Sequence, residues 1–227
     1  MVLWDIDGTL VRAGQIAGTV FAAAVEAMFG VPAGDHGVPY GGKTDPQIAR
    51  EILAALSIDH DESHVPALVA ELERGLVAGQ GEMRERGVVL PGVESVLACL
   101  HDHPDVVNTV LTGNTRANAV LKLDTFALDR WIDLEVGAFG SDDADRNNLV
   151  QIALERTATR YGPVDLDRVW VVGDTPFDAA CAQAGGVRCL LVATGHAERI
   201  ALEAAGADRV IDDLSDTKAV VDLLIQR

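Results

Sequence analysis

From residue 91 onward the chain alternates between stretches with apolar residues at helical spacing and short apolar runs, separated by breaks of glycine or polar residues. The runs at 106–111, 133–138, 168–172, 188–192 and 209–211 read as strands, and the stretches at 93–101, 116–123, 147–161, 176–184, 197–204 and 215–225 as helices. Strands that are apolar on both faces and separated by helices are buried in a parallel sheet with helices on each side. Val2-Leu3-Trp4 adds an unusually short strand at the front, because only four residues precede Asp5. Residues 13–87 break the scheme, since nothing in them reads as a convincing strand. Helices are predicted there over 16–29, 45–56 and 61–86, the last with a bend at Pro66, Gly75 or Gly79. Asp45 is the candidate N-cap of the second, with Pro46 at its first helical position. The expected fold class is therefore α/β: a three-layer parallel-sheet core built from 1–12 and 88–227, interrupted after its first strand by an all-helical block.

A hydrophobic fraction of 48% over 227 residues suffices for one main core with an insertion. The net charge of −17 argues against a nucleic-acid backbone or an anionic membrane as partner, so an anionic substrate needs a local exception. No apolar run reaches the length of a membrane span, and the N-terminus lacks the basic region and cleavage site of a signal peptide. Cys99, Cys181 and Cys189 follow no metal-ligand spacing and read as reduced core filler. The expectation is a soluble cytoplasmic protein, monomer or homodimer, with no nucleic-acid or membrane partner.

Three predicted strand ends carry chemistry. The first closes with Asp5-Ile6-Asp7-Gly8-Thr9, and carboxylates so close repel unless a cation offsets them. A hard divalent ion with oxygen ligands, such as Mg²⁺, fits that demand. The second closes with Thr112-Gly113-Asn114 before a helix, where a hydroxyl and unpaired backbone amides suit a phosphate. Capping of that helix by Thr112 or Asn114 is the competing reading. The third closes with Asp174, and Asp178 follows one turn into the next helix. In open α/β sheets ligands collect at such carboxyl ends, so Asp5 and Asp174 are expected to face each other.

Gly37 to Thr44 also satisfies the literal phosphate-loop pattern G-x-x-x-x-G-K-T. The buried strand that must precede such a loop is missing, because 31–36 is polar and broken by proline and glycine. Nucleotide binding at 37–44 is thus the weaker reading.

The D-x-D-G-T segment after an apolar strand resembles the first motif of the haloacid dehalogenase superfamily, and the segments at Thr112 and Asp174 resemble its second and fourth motifs in order and spacing. The resemblance implies a Rossmann-like core, 1–12 and 88–227, with an inserted helical cap domain, 13–87. It implies a Mg²⁺-dependent phosphatase acting on a small phosphorylated metabolite through an aspartyl-phosphate. By that likeness Asp5 is the nucleophile and Asp7 the general acid and base. Asp5, Asp174 and the backbone carbonyl of Asp7 hold the metal, with Asp178 acting through water or orienting the cationic residue. Thr112, Gly113 and Asn114 bind the phosphoryl oxygens. Asp7 favours phosphoryl transfer over dehalogenation, because a halide leaves without a proton. The superfamily's third motif is usually Lys-Pro, which is absent here. Arg146 is the leading substitute as catalytic and phosphate-binding cation, and Lys122 the alternative. The loop 40–45 resembles the cap's specificity loop, which makes Lys43 a candidate substrate contact. Phosphoglycolate-like acids are the leading expectation. A phosphonatase using Lys43 as a Schiff base and a sugar phosphomutase are the rivals within the same fold.

Overall fold

The computed structural model describes residues 1–14, 16–34, 36–61 and 63–226; position 35, just before the 37–44 segment, and position 62 of the predicted third helix lie outside the described residues. In chain order the elements are β1 (Val2–Trp4), β2 (Val11–Arg12), α1 (Ile16–Phe29), α2 (Asp45–Ala55), α3 (His64–Ala78), α4 (Gln80–Arg86) and β3 (Val88–Val89). There follow α5 (Val93–His101), β4 (Asn108–Thr112), α6 (Arg116–Thr125), β5 (Ala138–Phe139), α7 (Leu149–Tyr161), β6 (Trp170–Gly173), α8 (Pro176–Gly185), β7 (Arg188–Val192), α9 (Arg199–Ala204), β8 (Arg209–Ile211) and α10 (Thr217–Ile225).

Six of these strands form one sheet in the order β5-β4-β1-β6-β7-β8, and every neighbouring pair is parallel. β1 is only three residues long, yet it is central: Leu3 lies opposite Thr109 on one side and Val171 on the other. Its alternation divides the core. Val2 and Trp4 join a cluster with Leu97, Leu123 and Leu224, whereas Leu3 points to the opposite face among Leu149, Val171, Ala179 and Leu202. Trp4 also donates its indole N–H to Asn108 Oδ1 at 2.5 Å, and Asn108 Nδ2 donates to the Trp131 carbonyl at 3.1 Å. The order of connection reverses beside β1, since β4 and β5 lie on one side and β6 to β8 on the other, and a crevice forms at such a switch point.

Helices α1 to α4 have a separate interior, made by Phe21, Val25, Ile52, Leu68, Leu72, Leu76 and Met83. The predicted helix over 61–86 is two helices meeting at Gly79. Pro66 sits in the first turn of α3, where its missing N–H costs nothing. Gly75 instead permits close packing, because a Cβ there would run into the side chain of Val20 on α1.

Three further expectations are corrected, and one short ladder is added. The predicted strand 133–138 is largely turn, and only Ala138 and Phe139 pair with β4. Thr44, not Asp45, caps α2, accepting from Gln47 N at 3.2 Å, and Asp45 is its first residue. β2 and β3 pair antiparallel where the chain leaves and re-enters the core, a ladder too short to leave a periodic signature in sequence. Cys99 is exposed, whereas Cys181 and Cys189 are buried as expected.

Because Leu3 has no accessible surface and packs against the helices that carry Leu149, Ala179 and Leu202, Leu3→Ala should cost roughly 2–5 kcal/mol of unfolding free energy in urea titration. A cost comparable to that of an exposed alanine substitution would contradict this placement of β1.

Candidate active site

The carboxyl ends of β1 and β6 bring three acids together. Carboxylate oxygens of Asp5, Asp174 and Asp178 all lie within 4.8 Å of one another, and all three side chains are buried. Gly8, at φ +84°, turns the chain beside Asp174, and a Cβ on Gly8 or Gly195 would collide with that carboxylate. Thr9 Oγ1 donates to Asp174 Oδ1 at 3.2 Å. Burial is the largest influence on Asp5; Arg146 opposes it, the negative charges of Asp178 and Asp7 reinforce it, and the carboxyl is pushed up to about 6. Burial, then the charges of Asp5 and Asp178, push Asp174 up to about 8.

Arg146 is the cation that reaches this cluster. Its Nη2 is 2.5 Å from Asp178 Oδ1 and 3.2 Å from Asp5 Oδ1. Burial disfavours its charge, but Asp178 and Asp5 override that effect and hold the guanidinium more firmly protonated than usual. Asp145 caps the short turn 146–148 that presents Arg146, accepting from Asn147 N. Asp178 sits behind this pair. Its Oδ1 accepts from Arg146, and its Oδ2 accepts from Thr175 N at 3.0 Å and Thr175 Oγ1 at 2.7 Å, closing a capping box on α8. Of the two roles expected for Asp178, its hydrogen bonds are those of an orienting group for Arg146.

The end of β4 supplies the second half of the site. Thr112 Oγ1 accepts from Asn114 N at 3.3 Å and from Asn114 Nδ2 at 2.8 Å, so its own proton stays available for an incoming acceptor. Neither residue caps α6; Thr115 does, accepting from Asn118 N. Asp7 has a side chain about half exposed, and its Oδ2 receives Asn114 Nδ2 at 2.8 Å and Lys122 Nζ at 2.5 Å. Lys122 also donates to Asn114 Oδ1 at 2.6 Å. The two cations weighed as alternatives therefore occupy different posts, Arg146 beside Asp5 and Lys122 beside Asp7.

The loop 40–45 of the helical block closes over this edge. Asp45 N donates to the Gly113 carbonyl at 2.8 Å, and Thr44 Oγ1 donates to the Ala144 carbonyl at 2.8 Å. Gly113 and Gly140 allow the approach, because a Cβ on either would strike backbone of the adjoining loop. Asp45 Oδ2 accepts from Thr115 N at 2.8 Å and Asn118 Nδ2 at 2.9 Å. Burial raises its pKa, with Lys122 the main opposing influence. Sequence reasoning overlooked Asp45 as a site residue, because an acid before Pro46 already had an explanation as a helix cap. Lys43 lines the same cavity but is paired with Glu51, which also accepts from Gln47. The loop 37–44 precedes a helix but follows no strand among the described residues, so it lacks the setting of a phosphate loop.

With this geometry in hand, residues 148–217 match the HAD-hydrolase-like family. The chain is 29% identical to a plasmid-borne phosphoglycolate phosphatase of Cupriavidus necator, over 97% of this chain and 92% of that one. It is 28% identical to a phosphoglycolate phosphatase of Caulobacter vibrioides, over 98% and 91% respectively. In three dimensions it superposes on a hydrolase from Pseudomonas syringae with a TM-score of 0.73, covering 99% of each chain at 18% identity. The chain is thus similar to hydrolases of the haloacid dehalogenase superfamily.

Members of this superfamily are generally magnesium-dependent, and the donor set can be tested against that. Three buried carboxylates face one bonded guanidinium; burial first, and the neighbouring negative charges after it, raise the pKa of both Asp5 and Asp174. An oxygen-rich, negatively charged and unneutralised cluster fits a hard divalent cation. A stability experiment follows that does not depend on turnover. Asp5 and Asp174 bind protons in the folded chain at pH values where the unfolded chain, with carboxyls near 3.8, has lost them. In EDTA the melting temperature should therefore fall as pH rises from about 4 through 6 to 8. Mg²⁺ should offset the fall. Asp174→Asn should raise the melting temperature in EDTA at pH 8 and lose most of the Mg²⁺ response; an unchanged response would contradict the cluster as a cation site.

Proposed function

We propose that this phosphatase is a Mg²⁺-dependent phosphomonoesterase that acts on a small phosphorylated metabolite through an aspartyl-phosphate. The observation that carries the reading is the pairing of two aspartates with two separate cations at one sheet edge: Asp5 with Arg146 and Asp7 with Lys122.

A carboxylate oxygen of Asp5 attacks phosphorus, forming the Asp5–phosphoryl bond as the ester P–O bond breaks. Asp7 gives its proton to the departing oxygen, then takes one from the water that cleaves the aspartyl-phosphate. Arg146 offsets the charge gathering on the nucleophile and phosphoryl group, held in place by Asp178. Thr112 donates its free hydroxyl proton to a phosphoryl oxygen, and Gly113 and Asn114 complete that pocket. Asp5, Asp174 and the backbone carbonyl of Asp7 would hold Mg²⁺, which supplies further charge neutralisation on the phosphoryl oxygens.

Residues 13–87 serve as the cap, shielding the reacting atoms from bulk water through the loop 40–45. Lys43 belongs to the specificity wall of that cap. Its engagement by Glu51 weighs against a Schiff-base lysine, which must be neutral and unencumbered to attack a carbonyl.

Asp5→Asn should abolish detectable phosphate release, a loss of about 10³-fold or more in kcat, with folding intact by circular dichroism. Near-normal turnover would overturn the nucleophile assignment. The cations should separate kinetically. Arg146→Ala should cost roughly 10²- to 10³-fold with every ester. Lys122→Met should cost most with esters of poorly acidic alcohols and least with p-nitrophenyl phosphate, whose leaving group departs with little protonation. Equal losses across leaving groups for Lys122→Met would detach Lys122 from the acid function of Asp7.

A further inference from the structure

Asp45 belongs to the helical block, yet its carboxylate serves the segment facing it. An acid in the first turn of α2 would ordinarily answer to its own helix, but Thr44 holds that cap. The carboxylate is buried and turned instead to the start of α6, where Oδ2 accepts from Thr115 N at 2.8 Å and from Asn118 Nδ2 at 2.9 Å. A helix N-terminus favours such a charge, and Lys122 is the main charge that offsets its burial. The backbone N–H of Asp45 meanwhile donates to the Gly113 carbonyl at 2.8 Å.

These contacts bracket Asn114. A peptide group is planar, so a bond at one end fixes the direction of the other. The Gly113–Asn114 peptide is held at its oxygen by Asp45 N and at its nitrogen by Thr112 Oγ1, 3.3 Å away. The Asn114–Thr115 peptide is held at its oxygen by Gly140 N, 2.8 Å away, and at its nitrogen by Asp45 Oδ2. With both planes set, the direction of the Asn114 side chain from the backbone is set too. Its Nδ2 donates to Asp7 Oδ2 and to Thr112 Oγ1, each at 2.8 Å, and its Oδ1 accepts from Lys122, which also holds Asp7. Asn114, Asn118 and Lys122 are all buried, so solvent does little to weaken this chain of bonds.

We infer that Asp45 is a positioning residue, through which the docking of the helical block sets Asn114 and, by way of Asn114, the acid Asp7 and the phosphate-binding Thr112. This rests on the phosphatase reading and deepens it, because proton donation is then complete only while the helical block is seated. When the block lifts, both of its anchors on Asn114 leave together. Protonation of the leaving oxygen is thereby confined to the closed arrangement, in which water is excluded.

The test measures kcat/KM of the full chain with Mg²⁺ for p-nitrophenyl phosphate and phenyl phosphate, by phosphate release. The esters are alike in shape, but p-nitrophenolate departs with little protonation, whereas phenolate needs the proton from Asp7. In Asp45→Ala the ratio of the first value to the second should rise about tenfold, the mark of a misplaced acid. Asp45→Asn keeps an oxygen that can accept from both Thr115 and Asn118, so its ratio should stay within about twofold of wild type. Asn118→Ala removes one of the two bonds and should raise the ratio about threefold, and it decides the matter if Asp45→Ala does not fold. Equal losses with both esters in Asp45→Ala, or an unchanged ratio in Asn118→Ala, would reduce Asp45 to a structural contact and overturn the inference. A ratio in Asp45→Asn as high as in Asp45→Ala would overturn hydrogen bonding as the means of positioning. Wild-type release from p-nitrophenyl phosphate alone would overturn the inference and leave the phosphatase reading standing, since no acid function would be present to lose. No release from either ester would overturn the phosphatase reading itself.

Discussion

The whole arrangement depends on crowding: three carboxylates are held in a water-poor space around one guanidinium. Left to themselves, Asp5, Asp174 and Asp178 would separate or take up protons, and the elevated pKa values of Asp5 and Asp174 record that tension. The fold holds them by giving each a different anchor. Asp5 is fixed by the sheet, its N–H donating to the Val172 carbonyl at 2.9 Å. Asp178 is fixed by the capping box of α8, and Asp174 by Thr9 and by the absence of side chains at Gly8 and Gly195. Such local conflict is tolerated where it prepares a site for an ion and a substrate, and stability comes from elsewhere.

That stability comes from the sheet. β1 contributes only three residues, but each is buried, and its neighbours on both sides are parallel strands. A strand enclosed on both faces and both edges has little freedom to shift register, so the residue following it is delivered to one place. The same reasoning applies to Asp174 after β6 and Thr112 at the end of β4. The candidate site thus sits at the ends of the buried strands, while the loop 40–45 of the helical block closes over it.

The chain resolves its own electrostatic difficulty locally. With a net charge of −17 it should repel a phosphate dianion, yet Lys122 and Arg146 are buried at the point where that dianion must arrive. Lys122 is held by Asp7, and Arg146 by Asp5 and Asp178, in a space where screening by solvent is weak. Farther out, Lys43 and Arg86 are matched with Glu51 and Glu82.

Alternating apolar runs and helical periods made the parallel sheet legible, and the strand ends identified Asp5, Asp7, Thr112, Asp174 and Asp178, because a buried strand that stops at a polar residue must deliver it to an edge. What escaped was decided by pairing across long separations. β2 and β3 exist only because Arg12 and Val88 meet, and the segment 133–138 had strand-like composition but found a partner over two residues alone. Asp45 and Lys122 read as a cap and a helix charge, since only the closing of one loop on another turns the first toward Thr115 and the second toward Asp7. Lys43 looked like a charge awaiting a substrate until Glu51 was found beside it. The sequence by itself determined which residues end the strands, because burial on two faces demands apolar composition and breaks abruptly where it ends. Tertiary structure alone decided which charge faces which, because a side chain's partner depends on distances between segments that no local pattern encodes.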